Sequence, residues 1–457
     1  MQGNGRGVGR GRIGAATAVA GALVALLAAG AATANDDASA GAREEASGKS
    51  TDDRVDDLEQ RVEVVLEEID SLRKIFAVPE EGGLVSYSGL GPAASKVFQR
   101  DRGLSIGGYG EVVFAAQVGD EDGSQNELDA LRGVLYLGYK FNDWIVFNSE
   151  IEFEHGGEEV GVEFLTLDFL LCEALNARAG LLLAPVGFTN EIHEPVFFFG
   201  ANRPEVERRL IPSTWRENGL GIYGTIAERI DYRIYAMNGF RAAGFSEAGI
   251  RGGRQNGSEA LADHFAIVAR VDAELAPGVD VGGSIYHGKS GQNDTITRDV
   301  AMVPTTFLVP DAPLTLWEVH GQVRHRRAQV RGLFTQTILG DSAALSAATG
   351  TTIARTMQGG YVEVAYDVMP FLRGETEMTL EPFYRYERLD TQHHVTANAL
   401  AAAGAATRDG NRDRALHVVG VSFKPHPQVV LKVDYRSVSA EVGGAADEVQ
   451  AGIGFVF

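Results

Sequence analysis

The residues best equipped to act on a passing solute lie in one long connection, 185–216. There Arg203, Arg208, Arg209 and Arg216 are interleaved with Glu191, Glu194, Glu205 and Glu207, and Glu217 follows. Guanidinium and carboxylate groups mixed in this way can do one of two things. Facing water in a narrow passage, they sort ions by the sign of their charge. Paired with one another, they neutralise and pin the segment to its surroundings. Covalent chemistry has less support. A nucleophilic serine needs a histidine and an orienting group beside it, and the sequence holds no G-x-S-x-G elbow. The pair His393-His394 sits in a polar stretch without the spaced partners of a metal site. The single cysteine, Cys172 in "FLLCEAL", has the setting of a packed small hydrophobe rather than of a reactive thiol. No enzyme activity, metal or cofactor is expected.

Charges of this kind need elements to hold them, and from Gly103 on the chain supplies strands. Sixteen segments alternate apolar and polar residues with period two, from 104–117 at one end to 447–457 at the other. In "WIVFNSEIEFE", Ile145, Phe147, Ile151 and Phe153 fall on one face and Asn148, Glu150, Glu152 and Glu154 on the other. "LTLWEVHGQVRHR" opposes Trp317, Val319 and Val323 to Glu318, His320, Gln322, Arg324 and Arg326, and "VVLKVDYR" opposes Leu431 and Val433 to Lys432, Asp434 and Arg436. A soluble sandwich alternates too. Three features favour a membrane instead: the length of the segments, the rhythm of their connections, and an export signal at 1–34 that requires a destination outside the cytoplasm. Many segments reach the roughly nine to eleven residues that cross a bilayer at a tilt. Tight turns such as Asn142-Asp143 and Arg229-Ile230 alternate with long loops at 185–216, 241–260, 289–313, 342–357 and 389–412, the rhythm of hairpins with all their turns on one side. Closing such a sheet also removes strand edges that lipid cannot satisfy.

The expected fold class is therefore all-β: a transmembrane antiparallel up-and-down β-barrel of about sixteen strands over 103–457, preceded by a short N-terminal coiled-coil helix. Alternation places Glu150, Glu152, His320, Arg324, Arg326, Arg385, Lys432 and Arg436 on the watery inner wall.

The N-terminal region reads as a set of separate pieces. In 1–34, Arg6, Arg10 and Arg12 precede an apolar run that ends in Ala32-Thr33-Ala34, the pattern of a secretory signal peptide. A flexible spacer, 35–50, follows. In 51–78 the apolar residues Val55, Leu58, Val62, Val65, Ile69, Leu72 and Phe76 recur in steps of three and four, the seam of a coiled-coil helix. Pro79 and Gly82-Gly83 end it, and 79–102 reads as a linker. A formal charge of -21 works against nucleic acid as a partner, because counterion release needs clustered Lys and Arg.

Taken together, the chain resembles bacterial outer-membrane porins, most closely the phosphate-selective O and P type. The resemblance rests on the signal peptide, the coil ahead of the barrel, the opening strand "LSIGGYGEVVF", the stretch "APVGFTNEIHEPVFFFGANRPEVERRLIPSTWRENGLGIYG" and the terminal Phe457. It implies a channel in the bacterial outer membrane for passive diffusion of small hydrophilic solutes or ions, anions such as phosphate among the candidates. It also implies that loop 185–216 enters the lumen, so that Arg203, Arg208, Arg209, Arg216, Glu205 and Glu207 form the constriction, and that Phe457 is the signal read by the outer-membrane assembly machinery. The partners implied are outer-membrane lipid, further copies of the chain in a homotrimer and, through the coil, the cell wall. A structural protein tethering membrane to wall is the alternative reading. The strongly acidic balance departs from what an anion selector suggests.

Overall fold

The computed structural model describes residues 61–62, 84–118, 125–374, 376–444 and 446–457. The expected export signal, the spacer and all but two residues of the coil lie outside this set.

Within it, β1 (Gly103–Val118) pairs with β2 (Glu127–Lys140), and the series continues through β3 (Ile145–Glu154), β4 (Glu159–Cys172), β5 (Leu175–Leu183), β6 (Arg216–Ile226), β7 (Ile230–Asn238), β8 (Phe265–Ala276) and β9 (Val279–Lys289). A separate hairpin of β10 (Thr295–Val300) and β11 (Val303–Leu308) interrupts the order, and β9 pairs with β12 (Pro313–His325). Then come β13 (Ala328–Leu339), β14 (Thr356–Tyr366), β15 (Thr379–His394), β16 (Asp413–His426), β17 (Val429–Ala440) and β18 (Asp447–Val456), which pairs back with β1. Sixteen strands, all antiparallel to their neighbours, thus form a closed barrel. Tight turns lie mostly at one end, the turn side, where 367–378 is the exception, and the longest connections at the other, the loop side, where 155–158 is short.

The closing seam between β1 and β18 extends to Phe457. The Phe457 N–H donates to the Gly108 carbonyl at 2.8 Å, and the Gly108 N–H returns a bond to the Phe457 carbonyl at 3.0 Å. Glycine suits β1 here because the rings of the last strand lie over it: a Cβ on Gly108 would sit 2.8 Å from Phe457 Cζ, and one on Gly110 2.8 Å from Phe455 Cζ.

The faces separate as alternation requires. Phe153, Val319, Val362, Val433 and Ile453 point outward and are exposed, whereas Asn148, Glu150, Glu363, Arg385 and Lys432 point inward. An apolar exterior around a polar interior inverts a soluble core and matches hydrocarbon outside.

The sixteen expected segments correspond one for one to the barrel strands. The departures have local causes. The strand placed at 375–388 runs instead from Thr379 to His394, because a short helix, Met369–Arg373, occupies the turn and pairing continues past the apolar stretch: Asp390, Thr391 and Gln392 are buried against the loops, with Thr391 donating to the Glu247 carbonyl and Gln392 to that of Thr352. The β10–β11 hairpin escaped notice because its turn, Ala301-Met302, has φ of 50° and 64° in residues that carry no turn signature. Cys172, expected to be packed, is exposed at the end of β4. Arg326, expected on the inner wall, lies beyond β12 in an exposed turn at φ 54° and lines no lumen.

Residues 84–102, expected to be linker, fold against the barrel. The helix Pro92–Ser95 and the 3-10 turn Lys96–Gln99 lie in the turn-side mouth, where Leu90, Ala93 and Ala94 cluster with Tyr109, Val134, Tyr136 and Phe164.

A charge placed on the outer belt tests which face meets hydrocarbon. Val433→Arg, in mid-strand on β17, is expected to destabilise the vesicle-embedded barrel by about 2–4 kcal/mol in denaturant unfolding. Arginine replacement at the exposed hairpin residue Met302, off the barrel wall, is expected to leave stability unchanged.

Candidate functional site

The connection between β5 and β6, residues 184–215, enters the barrel and crosses it. Its course is fixed by bonds to strands all around the wall. The Gly187 carbonyl accepts from Arg270 of β8, and Phe188 lies edge-on to His320 of β12 with ring centroids 4.7 Å apart. The His193 ring meets Glu150 of β3 at 3.1 Å, and the Phe197 carbonyl accepts from Arg331 of β13 at 3.0 Å. The Ala201 N–H donates to Asp434 of β17 at 2.7 Å, and the Val206 N–H to Glu387 of β15 at 3.0 Å. This is why the wall's charges are buried: the loop takes the place that water would fill.

An apolar core on the loop side steadies the far half of the segment. Val206, Leu210, Ile211 and Trp215 pack with Phe240, Phe245 and Ile250 from the next long connection, 239–264, and with Leu345 and Ile353 from 340–355. Trp215 stacks on Phe240 at 4.6 Å and 22°.

Most charges expected at the constriction are paired. The carboxylate of Glu205, on the helix Glu205–Arg209, meets Arg208 at 2.6 Å, Arg209 at 2.6 Å and Arg436 of β17 at 3.1 Å. Arg216 is held by Glu163 at 2.6 Å. Glu207 is not a free charge either: it accepts from the Thr189 N–H at 2.6 Å, the Thr189 hydroxyl at 2.9 Å and the Tyr361 hydroxyl at 2.6 Å. Arg203 stands apart. It is half-buried among Arg132, Glu111 and Glu152, with no ion pair within 4.0 Å among the described residues.

The expected wall residues divide in the same way. Arg385 lies between Glu363 at 3.1 Å and Glu387 at 2.8 Å, and Arg331 extends that ladder with a 2.6 Å contact to Glu363. His320 bridges Glu318 at 2.8 Å and Asp272 at 2.9 Å. Glu152 approaches Arg132 at 3.5 Å. Lys432 donates to the Gly200 carbonyl at 2.9 Å and sits 3.5 Å from the Phe198 ring centroid. Arg324 is exposed on the turn side beside Asp280, and His393 is exposed at the loop-side end of β15.

On the loop side, the inward-facing Arg414, Arg436 and Glu448 of β16–β18 keep some exposure. On the turn side, a recess of about 330 Å³ is lined by Phe197, Phe198, Gln322, Arg324 and Lys424, among others. Between them stand Gly200, Ala201 and Asn202, held to Lys432, Asp434 and Gln450.

Sequence reasoning missed Arg251 and Arg254, which reach the site from 239–264. Arg251 donates to the carbonyls of Arg208 and Ser213, and Arg254 to those of Pro212 and Thr214. Burial, then the nearby guanidiniums of Arg254 and Arg208, pull Arg251 down to about 9; burial brings Arg254 down to about 10. Nothing in a loop without periodicity marks such residues. Arg331 and Glu363, by contrast, were readable from strand alternation.

Because Glu207 anchors the loop through three donors, Glu207→Ala leaves Thr189 and Tyr361 unpaired. It is expected to cost on the order of 1.5–3 kcal/mol and to speed hydrogen exchange at the Thr189 amide, while the β1–β18 amides keep their protection.

No family model matches the sequence. A protein of Aquifex aeolicus (strain VF5), described as uncharacterized, is 38% identical over 377 residues, covering 80% of this chain and 82% of its own length. Among solved structures, a loop L8 deletion form of OmpT, an outer membrane protein of Vibrio cholerae, superposes with a TM-score of 0.50 at 12% identity over 78% of this chain and all of that one. OprB of Pseudomonas putida gives 0.49 at 12% identity, over 78% and 95%. At such identities the likeness is one of fold alone. The identity to the Aquifex aeolicus protein reaches further, and the chain belongs to its family.

Proposed function

We propose that the protein is an outer-membrane channel for small hydrophilic solutes, with the 184–215 loop as its constriction and small anions, phosphate among them, as the preferred class. The observation that carries this reading is a sixteen-stranded barrel, oily outside, whose polar interior is crossed by a charged loop, with a recess of about 330 Å³ on its turn side and half-exposed charges on its loop side. Sixteen strands enclose more room than wall side chains can fill, so the loop sets the width.

The preference for anions follows from which charges are spoken for. Glu163, Glu205, Glu363 and Glu387 are engaged by guanidiniums, whereas among the described residues Arg203 forms no ion pair and the hydrogen bonds of Arg251 and Arg254 go to carbonyls. Uncompensated positive charge in a water-poor passage attracts anions and repels cations whatever the net charge of the whole chain.

Purified protein in planar bilayers is expected to give an ohmic conductance whose reversal potential in a salt gradient reports anion preference. Arg203→Ala should lower the anion-to-cation permeability ratio. Glu205→Gln, which releases Arg208, Arg209 and Arg436 from their shared carboxylate, should raise it roughly two-fold or more. A correctly folded barrel that passes no current contradicts the channel reading, and an unchanged reversal potential in both variants contradicts its preference for anions.

A further inference from the structure

Among the described residues, two inserts occupy this lumen. The 184–215 loop joins β5 to β6. Residues 84–99 lead through Arg100–Arg102 into β1, make no strand pairing with the barrel, and have a seat made for them in the wall. A Cβ on Gly107 of β1 would stand 2.8 Å from the Ala93 carbonyl, and one on Gly138 of β2 would stand 2.6 Å from Val97 Cβ. Larger residues there would exclude the segment. Leu90, Ala93, Ala94 and Val97 are each 5% exposed or less. Asn148 of β3 donates to the Ala94 carbonyl at 2.8 Å, and Ser95 closes the segment on itself, accepting from the Tyr87 N–H at 2.9 Å and donating to the Leu90 carbonyl at 3.1 Å.

The segment also touches the constriction loop. The Ala93 N–H donates to Glu194 at 3.2 Å, and the other Glu194 oxygen is buried without a partner. A Cβ on Gly91 would lie 2.6 Å from the same carboxylate, and one on Gly89 2.4 Å from Glu191. Both glutamates therefore lie against this segment, and Glu191 is also gripped by Arg233 of β7 at 3.1 Å.

We propose that residues 84–99 form a removable inner strap, which closes the turn-side mouth beneath β1–β3 and holds the first half of the 184–215 loop in place, so that its withdrawal widens the passage. This rests on the channel reading above. Because it pairs with no barrel strand, the strap can leave without breaking any strand pairing, and its departure exposes Glu194 to water and removes that residue's main-chain donor.

The test compares single-channel conductance of the mature full-length protein, a variant lacking 84–99, and the double variant Leu90→Asp, Val97→Asp, which keeps every strand while placing charge in the seat. An Ala94→Cys probe in a Cys172→Ser background, challenged with a water-soluble maleimide, reports where the strap is. The parent should be unlabelled and both altered forms should conduct several-fold more, with the probe labelled in the double variant. A labelled double variant with parental conductance overturns the strap and leaves the channel. A probe that stays unlabelled there shows a strap that does not leave. Silence of every form overturns the strap and the channel reading together.

Discussion

Hydrocarbon offers no hydrogen bonds, and that single constraint organises this molecule. Every main-chain N–H and C=O at membrane depth must find a partner within the protein, and a sheet can meet that demand only by having no edge. The ladder between β1 and β18, ended by the mutual bonds of Gly108 and Phe457, is what removes the edge. The rest is consequence. Closure fixes which face looks outward, the outward face must be apolar, and the polar residues of every strand are driven into a common interior.

That interior would be a wide watery space if nothing else entered it. The two inserts change its character from solvated wall to packed core. Charges there gain partners rather than water, which explains the Arg331–Glu363–Arg385–Glu387 ladder and the three guanidiniums around Glu205. Buried pairs of this kind add little net stability compared with apolar packing, but breaking one leaves an uncompensated charge. They tie the loop to named partners on β3, β7, β8, β12, β13, β14, β15 and β17.

The barrel was legible because a period of two is a strong signal when one face meets lipid, and the turn–loop rhythm fixed the direction of each strand. Alternation assigns Glu150, Glu152, Arg385, Lys432 and Arg436 to one face of their strands for that reason alone. Arg326 was misplaced because alternation cannot say where a strand stops. The crossing of the lumen by the loop was expected from resemblance, yet its pairings were not readable, since they join residues as distant as Glu207 and Tyr361. Arg251, Arg254 and the seat for residues 84–99 were invisible for a related reason. They depend on glycines and irregular backbone meeting across the barrel, and no local pattern announces such a meeting.

The seam has a temporal meaning as well. Neighbouring hairpins can zip as soon as they are made, but β1 must wait for a partner from the far end of the polypeptide, one of the longest-range pairings in the fold. Until then both β1 and the growing margin of the sheet are open templates for foreign strands. The molecule is therefore most vulnerable to mispairing just before it is finished, and an assembly factor that shields those two margins would be needed only for that interval.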